Sequence, residues 1–301
     1  MAFQRVITTQ PDYDQYRFGR SRQIFRGPAP DLSGEYVACI GGAETFGKFS
    51  PVTYPQILEE HLGMPCANWG TPGAGPGFFL KDPVLLEACS RAKVCVISVM
   101  SAHSMSNRLF NVFIRRNERL RGVSEMMQAL YPEVDFSHYR FVGNMLNQVH
   151  DISPERFNVV AIEMRNAWLA RMKELLSDIE TPKVLLWFAQ HHPEEAEAFS
   201  PAEARRVLPG FVTRKMVSEI APLVDVFVEY VADPESAAGG EEDRYNSRRG
   251  EAVARRFPSA VMHREVATLL TTPVEALLTP TITEAEEEMQ RDGFWRRILR
   301  R

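Results

Sequence analysis

The sequence predicts an α/β protein: a three-layer fold with a parallel five-stranded sheet between helices, carrying a helical cap insertion. Three observations predict it. Short, continuously apolar runs recur along the chain and stop at glycine or polar turns, as strands buried on both faces do. Segments with apolar residues at helical spacing lie between those runs. The composition suits one domain of this size: 301 residues, 45% hydrophobic and 25% charged. Such a chain buries about three quarters of its unfolded surface and needs no disulfide or structural metal.

The elements follow in order. The first 35 residues are polar, with Gln10-Pro11-Asp12-Tyr13-Asp14 among them, and read as an arm over the domain. Tyr36 to Ile40 is an apolar run ended by Gly41-Gly42, the first strand. Tyr54 to Leu62 carries Ile57, Leu58 and Leu62 at helical spacing, and Pro65 to Trp69 is a second strand. Asp82 to Ala92 reads as a helix and Val94 to Met100 as the clearest strand. Val184 to Ala189 and Val224 to Val228 supply the fourth and fifth. Alternating strands and helices give a parallel sheet.

Two segments break this rhythm. Residues 103–157 hold no strand signal and read as a helical or irregular cap over one edge of the sheet. Residues 231–250 read as a flexible acidic loop. The main domain thus spans 36–280, and 281–301 forms a C-terminal amphipathic helix. Thr283 and Glu286 make a capping-box pattern there, and Arg296, Arg297, Arg300 and Arg301 close it. Its basic end could contact a partner or a membrane surface. The plainer alternative is an apolar side packed on the domain, with Gly293 weakening a long helix.

Charge and cysteines exclude several classes. Lys and Arg number 35 against 39 Asp and Glu, a net −4 that argues against a nucleic-acid binder. No apolar stretch reaches the roughly 18 residues of a membrane helix, and the start, Met-Ala-Phe-Gln-Arg-Val, lacks a signal peptide's pattern. Cys39, Cys66, Cys89 and Cys95 form no CxxC pair. They read as buried free thiols in a cytoplasmic protein. His191-His192 has no third ligand at recognisable spacing, so no metal is expected, and no cofactor is implied.

Ligands of doubly wound sheets bind beyond the carboxyl ends of the strands. The turns there are Gly41-Gly42-Ala43-Glu44-Thr45-Phe46-Gly47, Asn68-Trp69-Gly70-Thr71-Pro72-Gly73, Ser101-Ala102-His103-Ser104-Met105-Ser106-Asn107-Arg108 and, late in the chain, Ala260-Val261-Met262-His263. Their order resembles the SGNH (GDSL) hydrolase superfamily, whose first block is Gly-Asp-Ser-x-Thr-x-Gly. The chain also resembles an uncharacterised proteobacterial domain family. The SGNH resemblance implies a flavodoxin-like sheet, an oxyanion-binding glycine in the Asn68/Gly70/Gly73 block, and a catalytic base at His263. The chain departs from that pattern at Gly42, where the family has aspartate, at Ala43, where it has the serine nucleophile, and at Ala260, where it has the aspartate that orients the histidine. His103 and Asn107 stand where the third block would fall.

Ala43 cannot attack an ester, so a serine esterase of the usual kind is not expected. What remains is the ligand-holding half: a small-molecule site among Gly42, Ala43, Glu44, Asn68, Gly73, His103 and Asn107. By the superfamily's habits the ligand is small, polar, acylated or anionic, and sugar-like, and the protein binds it or modifies it as a non-serine transferase would. Arg108 and Arg115 are the cap's candidates for holding an anion, against the alternative of a solvated charged face. The enzyme alternative is acyl hydrolysis or transfer with relocated groups, Thr45 giving the hydroxyl and His263 the base; the plainer role of Thr45 is capping the turn. A third alternative is a cytoplasmic scaffold with a vestigial pocket.

Overall fold

The structure is a computed structural model that describes residues 12–114, 116–193, 200–204, 207–240, 243–245 and 251–279. Its strands are β1 (Val37–Ile40), β2 (Cys66–Asn68), β3 (Val94–Ser98), β4 (Phe110–Phe113), β5 (Arg116–Val123), β6 (Lys183–Ala189) and β7 (Val226–Val231). Its helices are α1 (Ala43–Phe46), α2 (Tyr54–Leu62), α3 (Pro76–Phe79), α4 (Pro83–Arg91), α5 (Glu125–Leu130), α6 (Val142–Ile152), α7 (Pro154–Asp178), α8 (Pro201–Ala204), α9 (Arg214–Ile220), α10 (Pro234–Ala238), α11 (Glu251–Ala254) and α12 (Ala260–Leu278).

The five expected strands form one parallel sheet in the order β2-β1-β3-β6-β7. This is the flavodoxin-like order, which reverses direction between β1 and β3 and opens its crevice there. Alternate residues of each strand face opposite sides. Val37, Cys39, Val96, Val184, Leu186 and Phe188 pack under α2 and α12, together with Tyr54, Leu58, Met262, Val266 and Leu270. Ala38, Ile40, Cys95, Ile97, Leu185 and Trp187 pack on the other face, under Met164, Trp168, Met172 and Leu175 of α7. Burying each large side chain contributes about 1.5–3 kcal/mol.

Local signals place the helices that matter to the site. Thr53 caps α2 by accepting Gln56 N–H, and Gly63 ends it in the left-handed region. Ser259 caps α12 by accepting Met262 N–H. The caps bring both N-termini to the carboxyl edge of the sheet, and α2 packs against α12. Ser153 caps α7, whose 25 residues span the opposite face.

Three expectations need correction or completion. The 103–157 insertion is not free of strands: β4 and β5 form an antiparallel hairpin before the helical part, α5 and α6, begins. Its alternation is real, with Phe110 and Val112 buried and Asn111 and Phe113 outward, but an apolar outward Phe113 and two register shifts obscure it in the sequence. The acidic 231–250 stretch begins as the end of β7 and includes α10, capped by Asp233. In the N-terminal arm, Tyr16 and Phe25 pair in an antiparallel bridge, Phe25 is fully buried, and Arg26 donates to backbone carbonyls of residues 46–51. The C-terminal helix expected at 281–301 lies outside the described residues, as does Arg115.

Candidate functional site

The turn after β1 is built to exclude side chains. A Cβ on Gly41 would lie 2.2 Å from Thr45 Oγ1 and 2.8 Å from Ser98 Cβ. This closeness comes from a hydroxyl cluster beneath the turn. Thr45 Oγ1 donates to Ser98 Oγ at 2.8 Å, and the Tyr54 hydroxyl lies 3.4 Å from Ser98 Oγ and 3.5 Å from Thr45 Oγ1. Thr45, Tyr54 and Ser98 are all fully buried. Glu44 is 5% exposed, and its Oε1 accepts Gly42 N–H at 2.7 Å. Burial pushes its carboxyl up to about 7, against the lowering effect of that bond and of its own amide. Ala43 is buried and brings no hydroxyl.

The turn after β2 locks onto this one. Asn68 Nδ2 donates to Thr45 O at 2.9 Å, and its Oδ1 accepts Gly70 N–H at 3.0 Å. A Cβ on Gly70 would come within 2.2 Å of Phe46 N, which is backbone and cannot step aside. Thr71 N–H reaches Gly41 O at 3.0 Å, while the buried Thr71 Oγ1 has no partner among the described residues. Gly73 takes a φ of +78° and looks toward Glu118 of β5, so the hairpin leans on this turn.

Past β3, His103 packs edge-on against Phe211, their ring centres 5.5 Å apart. Asn107 Oδ1 accepts the N–H groups of Leu109 and Phe110 at 2.9 and 3.1 Å. Its Nδ2 is buried without a partner among the described residues. Arg108 does not turn toward the β1 turn. Its side chain is 72% exposed and grips Glu163 of α7 through Nε at 2.8 Å and Nη2 at 2.5 Å.

His263 lies in the first turn of α12 with 0% exposure. Its Nδ1 accepts Tyr54 N–H at 3.1 Å, so the neutral ring carries its hydrogen on Nε2. The ring stacks on Tyr54 at 6.3 Å and meets the edge of Phe188 at 5.2 Å. Nε2 is buried and unpartnered among the described residues. Burial lowers this imidazole's pKa to about 3, helped by the guanidiniums of Arg26 and Arg244.

Tyr54 therefore spans the two expected halves of the site. Its backbone N–H holds His263, and its hydroxyl meets Thr45. The structure brings Gly42, Glu44, Thr45 and Asn68 together at one turn, with Gly73 on the adjoining one. His263 stands behind Tyr54 and makes no hydrogen bond to Thr45, Glu44 or Asn68 among the described residues. Sequence reasoning missed Ser98, Tyr54 and Thr71. A lone polar residue closing the apolar run Val94-Cys95-Val96-Ile97-Ser98 was a usable signal for the first. Among the described residues no group of three His, Cys, Asp or Glu could hold a metal ion, and no helix is long and apolar enough to cross a membrane.

Among solved structures, the chain is similar to a lipase from a goat rumen metagenome at 14% identity. That match covers 79% of this chain and 97% of the other, with a TM-score of 0.39. A protein described as lipolytic and of the G-D-S-L family, from Desulfitobacterium hafniense, is similar at 12% identity over 79% and 99% of the two chains, with a TM-score of 0.39. A catalytic mutant of an acetylxylan esterase from Geobacillus stearothermophilus is similar at 13% identity over 82% and 94%, with a TM-score of 0.38. Likeness at this level says nothing about which residues react. No curated protein matches the sequence. The family model described as a domain of unknown function, DUF6473, matches residues 1–278. With that span covering most of its length, the chain belongs to the DUF6473 family.

Proposed function

We propose that this protein binds a small polar ligand at the carboxyl edge of its sheet and does not use serine ester chemistry. The observation that carries the reading is two buried polar atoms that have no partner among the described residues, Thr71 Oγ1 beside Gly41 and Asn107 Nδ2 in the segment after β3. Leaving a buried polar group unmet costs about 1–3 kcal/mol, a cost that a bound ligand would remove. Ala43 at the nucleophile's place and the commitment of Thr45 Oγ1 to Ser98 both weigh against covalent catalysis. The SGNH resemblance supports an acylated or anionic sugar-like ligand. Four buried free thiols support a reducing, cytoplasmic setting.

The test is thermal stabilisation by a panel of acetylated and anionic sugars, run beside ester turnover. The expected result is a raised midpoint with at least one sugar, lost in Asn107→Ala, and no turnover. Steady ester hydrolysis by the unmodified chain would overturn the reading. A second reading, acyl transfer with relocated groups, draws on Glu44. A carboxyl pushed up to about 7 can exchange a proton near neutral pH. It would show as turnover lost in Glu44→Gln.

A further inference from the structure

The N-termini of α2 and α12 converge on His263, and the guanidiniums of Arg26 and Arg244 act on its imidazole. Arg26 donates to the carbonyls of Gly47 at 2.6 Å, Ser50 at 3.0 Å and Pro51 at 2.9 Å, just before the Thr53 cap of α2. Arg244 donates to the carbonyls of Ala237, Ala238 and Phe257. A Cβ on Gly239 would meet Ser259 Cβ at 3.0 Å and Arg244 Nη1 at 3.1 Å, which puts that guanidinium beside the α12 cap. Lys48 sits over the rings of Phe49 and Phe257 at the half-buried rim. Of the two acids felt by Arg244, Asp243 contacts Arg264 at 3.3 Å and Glu251 contacts Arg255 at 2.6 Å.

Two donors in this cluster have no acceptor among the described residues: His263 Nε2, on a fully buried side chain, and Arg244 Nε. Helix N-termini add partial positive charge to the same place. Burial is the largest influence on Arg26, Arg244 and His263 alike and pushes each toward its uncharged form, which an anion would reverse.

We propose that this junction is an oxyanion site, taking a phosphate or sulfate group on the Nε2–H of His263 and the Nε–H of Arg244, with Arg26 supplying charge. The site extends the polar-ligand reading by naming where an anionic group would be held, and it uses neither Thr71 nor Asn107.

The test uses the full chain and inorganic phosphate, with sulfate and acetate as further arms and chloride at matched ionic strength as the control. Phosphate should raise the melting midpoint and shift the His263 Nε2–H resonance where chloride does neither. Sulfate should behave like phosphate, and acetate should bind more weakly. Arg244→Lys keeps the charge but loses the directed Nε–H, and should weaken phosphate binding by about tenfold. His263→Gln keeps an acceptor for Tyr54 N–H and should weaken it as much. If His263→Gln does not fold, the resonance shift and Arg244→Lys decide. A resonance unmoved by phosphate, or Arg244→Lys binding as the unmodified chain does, overturns the proposal. Sugar stabilisation without phosphate binding removes this inference alone, and phosphate binding without sugar stabilisation removes the earlier reading alone.

Discussion

The turn after β1 and the first turn of α12 stand on opposite sides of Tyr54, and they handle polar groups differently. At the β1 turn the hydroxyl of Thr45, the amide of Gly42, the carboxyl of Glu44 and both ends of the Asn68 amide bond within the protein. At α12 the imidazole uses one nitrogen, and the other has no partner among the described residues. The first arrangement is closed, since each of these groups already has its partner inside the protein. The second keeps a valence that something else can fill. The difference separates a turn whose polar groups are already satisfied from a candidate for binding, within one sheet edge.

The strongest way to break this comparison is to disturb the closed side. Gly70→Ala would drive a methyl carbon to 2.2 Å from Phe46 N and 2.6 Å from Thr45 C. Neither atom can move without shifting α1. The variant should lose about 5 kcal/mol or fail to fold, measured by urea denaturation. A loss below about 1 kcal/mol would mean that the β1 turn is soft, and the contrast with α12 would collapse.

Acid and base titrations sharpen the comparison, because the two sides should respond with opposite sign. His263 has a folded pKa of about 3 against an ordinary 6.5. Between those values the unfolded chain binds the extra proton, so stability falls as pH drops from 6.5 toward 3, by on the order of 4 kcal/mol. Glu44 has a folded pKa of about 7 against 4.5. There the folded chain holds the extra proton, so stability falls as pH rises from 4.5 to 7, by about 3 kcal/mol. In phosphate-free buffer, His263→Gln should remove most of the acid-side loss. Glu44→Gln, the smaller effect, should remove the loss toward neutral pH. Matching slopes in the two variants would show that burial does not act on these groups as the geometry requires.

Much of the sheet was legible because strands buried on both faces leave long apolar runs; the stretch from Val94 to Ser98 needs no partner to be recognised. Tyr54–Leu62 was legible through its helical spacing; the structure adds the Thr53 cap and the left-handed Gly63 that end it. The hairpin was not, since its outward face carries Phe113 and its tip lacks the glycine or asparagine that marks tight turns. The site was legible as positions and not as contacts. Glycine turns show in a sequence because close approach forbids a side chain, as at Gly41 and Gly70. Nothing near Thr45 in the chain says that its hydroxyl meets Ser98, 53 residues away. Nor does His263 announce that Tyr54, 209 residues earlier, will take its Nδ1.

The finest test of the comparison sets two threonines against each other. Thr45→Val keeps the shape and removes a donor that bonds Ser98 at 2.8 Å, leaving Ser98 only the more distant Tyr54 hydroxyl at 3.4 Å. The expected loss is about 1–2 kcal/mol. Thr71→Val removes a buried hydroxyl that has no partner to lose among the described residues. In the ligand-free protein it should cost less than about 0.5 kcal/mol and can even stabilise, because an unmet polar atom is replaced by a methyl group of similar volume. The same substitution should abolish part of the stabilisation given by a sugar ligand. Equal losses for the two valines without ligand would mean that Thr71 is already satisfied, and the polar-ligand reading would lose half of its support.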